Sequence, residues 1–340
     1  MVTETEEPRT DWEDEEEEEG GPVKPFLDHL EDLRWVLIKS LSAVGIAVVV
    51  CLLAGNVVVE VLLRPLHHTH VKYPKNLQVV SFLLGTNQLG TYTLPADDQG
   101  GFLFGTNQFQ AFHLEPINVG GTQVLGLRPD PERAAATGQK LNIAISNFGP
   151  ASAFILAFKV AIYAGLALAF PFIFYFVGNF VFPALKLKEK KYVYRALVFG
   201  FGLFALGVCF CYFVLMPLAL LASVQYSEWL GFNVYQWRAE EYVSFVCKFM
   251  LGMGLGFELP VVVLTLAKIG IVDYKMLAKS RPYVIVINFI LGAILTTPEV
   301  ITQVLMAVPL QILFEISLWI VWYWERQEKK KQAEAEAAST

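Results

Sequence analysis

Residues 196–222 read ALVFGFGLFALGVCFCYFVLMPLALLA, a run without a single charged side chain. Coiled as a helix at 1.5 Å per residue it would be about 40 Å long, more than the ~30 Å hydrocarbon core of a bilayer. It is apolar on every face, so it must be surrounded by lipid or by other helices. Five further runs of this kind flank it, at 35–63, 152–182, 241–267, 282–296 and 302–324. Together they explain why 55% of the 340 residues are hydrophobic, only 17% are charged and the mean hydropathy is +0.47. A soluble domain needs more polar surface than that. The expected fold is an all-α integral membrane protein with six transmembrane helices, 35–324. Pro171, Pro217, Pro260 and Pro309 punctuate the runs; each removes a backbone donor and tends to kink its helix, which suits a kinked, concave bundle. The run Pro282–Leu295 would span only about 21 Å and needs bilayer thinning or shelter by other helices.

Charge orders the ends and loops. The formal net charge of -6 is misleading. Residues 1–19 hold eleven acids against Arg9, a balance of -10, so by subtraction the rest carries +4. Such a run of like charges repels itself and buries nothing, so 1–22 is expected to be a disordered acidic tail. The bases set the orientation. Lys186, Lys188, Lys190, Lys191 and Arg195 fill the 183–195 loop; Lys268, Lys275, Lys279 and Arg281 fill 268–281; Arg326 and Lys329 to Lys331 fill the 325–340 tail. With six spans these fall on the same side as the 23–34 segment. The short loops 223–240 and 297–301 hold only Arg238. Both termini are therefore expected in the cytoplasm.

The 64–151 loop, on the outer side in this scheme, contains an internal repeat. Phe82-Leu83-Leu84-Gly85-Thr86-Asn87-Gln88 recurs as Phe102-Leu103-Phe104-Gly105-Thr106-Asn107-Gln108. Tyr92-Thr93-Leu94 matches Phe112-His113-Leu114 at the same offset. Apolar alternation around Gly and Asn predicts strands and turns, hence a small β-rich extracytoplasmic insert. Two copies are too few for a solenoid. His67, His68 and His70 lack nearby carboxylate or thiol partners and read as solvated loop histidines rather than a metal site.

Ionisable groups inside spans cost about 2.5–3.5 kcal/mol at a helix centre on insertion scales, so they are candidate functional residues. Lys159 lies in the second run, Lys248 and Glu258 in the fourth, and Glu315 in the sixth; Glu299 and Gln303 sit at the hairpin before it. The two lysines lie near the outer ends of their runs, where they can snorkel. Glu258 and Glu315 suit either a functional polar groove or structural interhelical hydrogen bonds. No soluble-enzyme motif is present: no Walker loop, His-Glu-x-x-His or Gly-x-Ser-x-Gly. Gly252-Met253-Gly254-Leu255-Gly256 lies in an apolar run, where small residues permit close helix contact rather than nucleotide binding. Cys51, Cys209, Cys211 and Cys247 also lie in apolar runs, without disulfide or metal spacing, and no histidine falls within a span to activate a thiol. No catalytic residue, metal or cofactor is expected, nor a nucleic-acid partner.

A series of short motifs, in order, resembles the TatC family over nearly the whole chain outside the acidic tail and the insert. Phe26-Leu27-Asp28-His29-Leu30-Glu31-Asp32-Leu33-Arg34 looks like the family's His-Leu-x-Glu-Leu-Arg signature before the first span, with Pro65 following that span. Pro150, Phe154 and Lys159 resemble the start of the second. Phe180-Val181-Phe182-Pro183-Ala184-Leu185 leading to Glu189 looks like the Phe-x-x-Pro-x-Leu-x-x-x-Glu cytoplasmic motif. Phe257-Glu258-Leu259-Pro260, Arg281-Pro282-Tyr283, Thr297-Pro298-Glu299, Gln303, Pro309 and Phe314-Glu315 complete the series. Departures are Asp32 and Glu299, each the alternative acid to the common one, Ser152 for an acid, and Val36 where a second Arg is often found.

The resemblance implies a core receptor subunit of the twin-arginine translocase in the bacterial inner membrane. Such a subunit binds twin-arginine signal peptides of folded cargo, works with TatB-like and TatA-like subunits, and draws on the proton-motive force. Membership of a receptor complex with several copies of the chain is also implied. Its implied signal-peptide contacts are Glu189, Asp32, Glu31, Arg34 and Phe180. Its implied intramembrane polar or partner contacts are Glu258, Glu299, Gln303, Glu315 and Lys159, and Pro65, Pro183, Pro260, Pro298 and Pro309 are structural. The competing reading from the residues alone is a secondary transporter of a small solute. Such proteins often repeat their spans, and no repeat is visible among these six.

Overall fold

The computed structural model describes residues 26–69, 76–96, 101–138, 143–181, 187–232, 234, 236–296 and 299–339. The acidic tail, His70, Pro183 and Pro298 lie outside the described residues. In chain order the elements are α1 (Phe26–Leu53), α2 (Gly55–His68), β1 (Leu77–Leu84), β2 (Asn87–Pro95), β3 (Phe109–Val119), β4 (Thr122–Pro129), α3 (Pro131–Gly138) and β5 (Ala144–Ser146). Then follow α4 (Ser152–Val181), α5 (Leu187–Phe210), a π-helical turn (Cys211–Leu215), α6 (Met216–Trp229), β6 (Gln236–Arg238), α7 (Ala239–Gly256), α8 (Leu259–Ile269), α9 (Tyr274–Leu295) and α10 (Val300–Ser339). Among the described residues, six helical stretches are long and apolar enough to cross a membrane. The chain divides into two compact units. One holds the chain up to Val58, Phe154–Leu215 and everything from Val243; the other holds Val59–Ala153 and Met216–Tyr242.

Helix boundaries depart from the apolar runs in several places; α5, for one, starts at Leu187 within the stretch 183–195 that the bases marked as loop. The run 35–63 is not one helix: α1 starts earlier, at Phe26, and ends at Leu53, and a turn at Ala54 before Gly55 separates it from α2. In α2, Glu60 and Arg64 pair at 3.2 Å across one turn on an exposed face, and Leu62 and Leu66 are buried. It is an amphipathic helix, not a continuation of a lipid-facing one. The helix α9 begins at Tyr274 rather than Pro282, so its 22 residues reach about 33 Å. The bases at 275–281 had marked this stretch as loop, but Lys and Arg are good helix formers and extend the helix beyond its apolar part. For the same reason α10 runs through the Lys- and Glu-rich tail, with Lys330 and Glu334 paired at 3.8 Å.

The prolines act differently from one another. Pro171, Pro282 and Pro309 lie inside α4, α9 and α10. Pro217 follows the π-helical turn at Cys211–Leu215, where the widened ladder takes up the missing donor. Pro260 is no kink within a helix: it occupies the first turn of α8, where it has no intrahelical donor to lose. The fourth apolar run is thereby broken into α7 and α8, with Phe257 and Glu258 at the break.

The first unit packs by small residues and leaves apolar faces open. On α4, Phe154, Phe158 and Ile162 form an exposed stripe at helical spacing, while Val160, Ala161 and Ala169 are buried. A contiguous apolar stripe of this kind faces lipid in a chain built of spans. Helices α5 and α7 meet through glycines. A Cβ on Gly207 would stand 2.8 Å from the Met253 carbonyl oxygen, and one on Gly254 would stand 2.7 Å from the Phe204 ring. The glycines at 252–256 thus serve helix packing.

The second unit contains a four-stranded sheet in the order β2-β1-β3-β4. The strand β1 pairs antiparallel with β2 and parallel with β3; β3 pairs antiparallel with β4. The two sequence copies do not fold alike. In the first, β1 turns into β2 at Gly85 (φ 62°); in the second, residues 101–108 are irregular and lead into β3, although Gly105 keeps the same left-handed conformation (φ 65°). Tyr92 and Phe112, equivalent in the repeat, pack on Phe82 from either side at centroid distances of 5.8 and 6.2 Å. The irregular copy is held by Gln78, which is 0% exposed. Its amide donates to the carbonyls of Phe104 at 2.5 Å and Asn107 at 3.1 Å and accepts from the Phe104 N–H at 3.0 Å. Asp130 accepts from the Arg133 N–H at 3.2 Å as the cap of α3, and its other oxygen meets His113 at 3.0 Å. Against a desolvation that raises it, the Arg133 N–H and His113 hold the Asp130 carboxyl below the usual range.

Two outcomes are expected. Gly207→Ala lowers stability by about 1–3 kcal/mol through overpacking. Gly202→Ala, whose Cβ meets nothing within 4 Å, leaves it unchanged or raises it; size-exclusion thermostability in detergent compares the two, and equal melting contradicts the close approach of α5 and α7. Gln78→Leu leaves the half-buried backbone N–H and carbonyl of Phe104 without their Gln78 partner, costing about 2 kcal/mol or roughly thirtyfold faster amide exchange there. Unchanged exchange at Phe104 would mean that the loop is held by something else.

Candidate functional site

Polar side chains within the apolar helices of the first unit form two distinct settings. One lies between the antiparallel helices α9 and α10. Arg281, two turns into α9, donates to both oxygens of Glu315, Nε to Oε1 and Nη2 to Oε2, each at 3.0 Å. Gln311, one turn earlier on α10, reaches Glu315 Oε1 at a long 3.5 Å and accepts from the Asn288 amide at 3.2 Å. Nearer the hairpin, the Gln303 amide donates to the Phe289 carbonyl at 2.7 Å. The carbonyl of Glu299, just ahead of α10, accepts from the Gln303 N–H at 3.1 Å and the Thr302 hydroxyl at 3.1 Å. This is a polar ladder along one helix pair. Its forked ion pair is half-exposed and Asn288 is buried. A bidentate guanidinium–carboxylate pair fixes register as well as charge.

The second setting is the break between α7 and α8. Glu258 is the residue before α8, with backbone angles of -76° and -17° and no side-chain cap bond. It is 6% exposed, and neither carboxylate oxygen has a partner in hydrogen-bond geometry among the described residues. The Phe204 backbone beside it belongs to the hydrogen-bond ladder of α5. The carboxylate lies over Gly200 of α5: a Cβ there would be 2.7 Å from Glu258 Oε2 and 2.4 Å from the Phe174 ring of α4. A buried carboxyl without a partner costs several kcal/mol, so this position is held open by the helix break and by the missing side chain at Gly200.

The remaining candidates stand apart from both settings. Glu31, Asp32 and Arg34 occupy the first turns of α1; Glu31 and Arg34 are exposed and Asp32 half-buried. Phe180 is half-buried at the end of α4, and Glu189 lies in the first turn of α5. Lys159 is half-buried in the second turn of α4. Pro65 and Pro260 are buried, in α2 and at the start of α8. The sequence reading missed the partners of Glu315. Arg281 had been counted as a loop base and as part of the Arg281-Pro282-Tyr283 motif, and Asn288 and Gln311 had not been singled out. The i,i+4 spacing of Gln311 and Glu315, and an amide in the apolar run at 288, were the available signals. No cluster of three or more metal-ligating side chains occurs among the described residues.

The family model for the Sec-independent protein translocase protein (TatC) matches residues 28–309. The TatC of Akkermansia muciniphila is 40% identical over 202 residues, covering 59% of this chain and 58% of the relative. That of Aquifex aeolicus is 35% identical over 192 residues, covering 56% of this chain and 79% of the relative. A crystal structure of the twin arginine translocase receptor TatC superimposes with a TM-score of 0.59 at 28% identity, covering 87% of this chain and 98% of the solved one. The match of the family model over residues 28–309, joined to the likeness to a solved TatC over most of both chains, shows that the chain belongs to the TatC family of Sec-independent protein translocase proteins.

Proposed function

We propose that this chain is the signal-peptide receptor subunit of a twin-arginine translocase in a bacterial inner membrane. The observation that carries the reading is its likeness to the solved twin arginine translocase receptor over 98% of that chain. Both termini lie in the cytoplasm in this reading, which the bases at 186–195 and 268–281 support. The insert of the second unit is then extracytoplasmic.

A twin-arginine motif brings two guanidiniums to the cytoplasmic surface, and each is best met by a carboxylate that accepts a fork of two N–H bonds. Glu189 is the main recognition carboxylate. Asp32 and Glu31 assist it from α1, Arg34 orients that segment, and Phe180 contacts the peptide beside it. The apolar part of the signal peptide lies along the membrane helices. Glu258, buried and without a hydrogen-bond partner among the described residues, offers a polar contact to a helix packed there. Gln303 and Glu299 form a second partner contact at the outer end of α10, with Glu315 and Lys159 as further polar positions. Pro65, Pro183, Pro260, Pro298 and Pro309 shape the segments that carry these residues. The partners are TatB-like and TatA-like subunits and further copies of the chain, and the energy comes from the proton-motive force.

Glu189→Gln is expected to weaken binding of a twin-arginine signal peptide to the purified protein about tenfold, the size of one lost charge-assisted interaction. Glu258→Gln weakens it less, and both variants accumulate normally. A photo-crosslinker at position 189 captures the peptide but not a version with both arginines changed to lysine. Equal binding by wild type and Glu189→Gln would sink the assignment of Glu189. Equal capture of both peptides would remove the arginine-reading role from this segment.

A further inference from the structure

Helices α5, α8 and α10 line a groove of about 330 Å³, formed by Arg195, Phe199, Val261, Leu264, Thr265, Lys268 and Trp324. Its chemistry is graded. At one end stand two cations: Arg195, exposed near the start of α5, and Lys268 in the last turn of α8. Lys268 Nζ lies 5.4 Å from the centre of the Trp324 ring. From there the wall turns apolar. Val261, Leu264 and Thr265 share the face of α8 that carries Lys268, and Phe199 lies one turn beyond Arg195 on α5. The seven helical steps from Lys268 to Val261 give a depth of about 10 Å.

We infer that this groove is a binding site for an anionic phospholipid, with the phosphate at Arg195 and Lys268 and an acyl chain along Phe199, Leu264 and Val261. Three features fit this occupant. Cations and a Trp ring at the end of membrane helices mark the headgroup level, and an apolar channel continuing inward matches an acyl chain. Lys268 already shares its charge with Glu328 at 3.1 Å, so Arg195 supplies a net charge of about one, which matches a phosphodiester monoanion better than a dianion. Arg195 has no ion-pair partner among the described residues, and its fork suits two phosphate oxygens. A cationic signal peptide would be repelled at this position.

Native mass spectrometry of the full chain, supplied with phosphatidylglycerol or phosphatidylcholine at equal concentration, tests the site. Phosphatidylglycerol is retained preferentially by the wild type. Retention falls about fivefold in Arg195→Gln and in Lys268→Gln, as expected for one interfacial cation. It is partly kept in Arg195→Lys, which preserves the charge but not the fork, and fully kept in Lys275→Gln, whose exposed cation lies outside the groove. Thermal melting in phosphatidylcholine is the same for wild type and Arg195→Gln, which separates lost lipid from lost fold. Glycerol phosphate in excess does not displace the lipid; displacement would make the ligand a soluble phosphate and overturn the lipid assignment. Equal retention of both lipids, or an equal loss in Lys275→Gln, would overturn the site itself, because attraction would then be unspecific.

Discussion

Hydrocarbon offers no hydrogen bonds to a peptide group, so every backbone donor and acceptor within the membrane must be met inside the protein. That constraint governs the first unit. Its spans are helices because only a helix satisfies its own backbone, and the departures from regular helix fall where the sequence prevents that satisfaction. The π-helical turn at Cys211–Leu215 absorbs the donor missing at Pro217. The break between Gly256 and Leu259 uses Pro260 at a position where no donor is needed. Each departure is local, and helix resumes at once on the other side.

The break at Glu258 gains its meaning from the contrast with Glu315. Both are carboxylates inside apolar runs. Glu315 meets a forked guanidinium and extends into an amide ladder, so its charge is matched within the same helix pair. Glu258 has no such match, and lies over the bare backbone of Gly200. An ion pair that is hydrogen-bonded and half-exposed sets register at little cost, whereas a buried orphan destabilises the fold unless something else engages it. The two in-span acids, alike in sequence setting, therefore differ in what surrounds them. The Glu315 carboxylate is matched within its own helix pair, whereas that of Glu258 has no hydrogen-bond partner among the described residues.

The second unit obeys a different rule, because its sheet must bury an apolar face in the ordinary way. A short sequence repeat became an asymmetric structure there. The first copy closes a hairpin, whereas the second, with the same glycine conformation, is pulled out of strand geometry by the buried amide of Gln78. What the copies share is packing: Tyr92 and Phe112 flank Phe82 from neighbouring strands.

Much of this was legible in the sequence for a physical reason. Crossing a bilayer demands a long uncharged run, and such runs, their number and the motifs between them can be read one residue after another. The β character of the insert followed from alternation and turn residues in the same local way. Helix ends were less legible, because charge marks where a run leaves the hydrocarbon, not where the helix stops: Arg281 looked like a loop base and lies two turns inside α9. Pairings were not legible at all. That Arg281 belongs to Glu315, that Gln78 holds Phe104, and that Glu258 stands over Gly200 depend on which helices and strands become neighbours. That choice is made by close packing across the whole unit, so only the tertiary structure decided it.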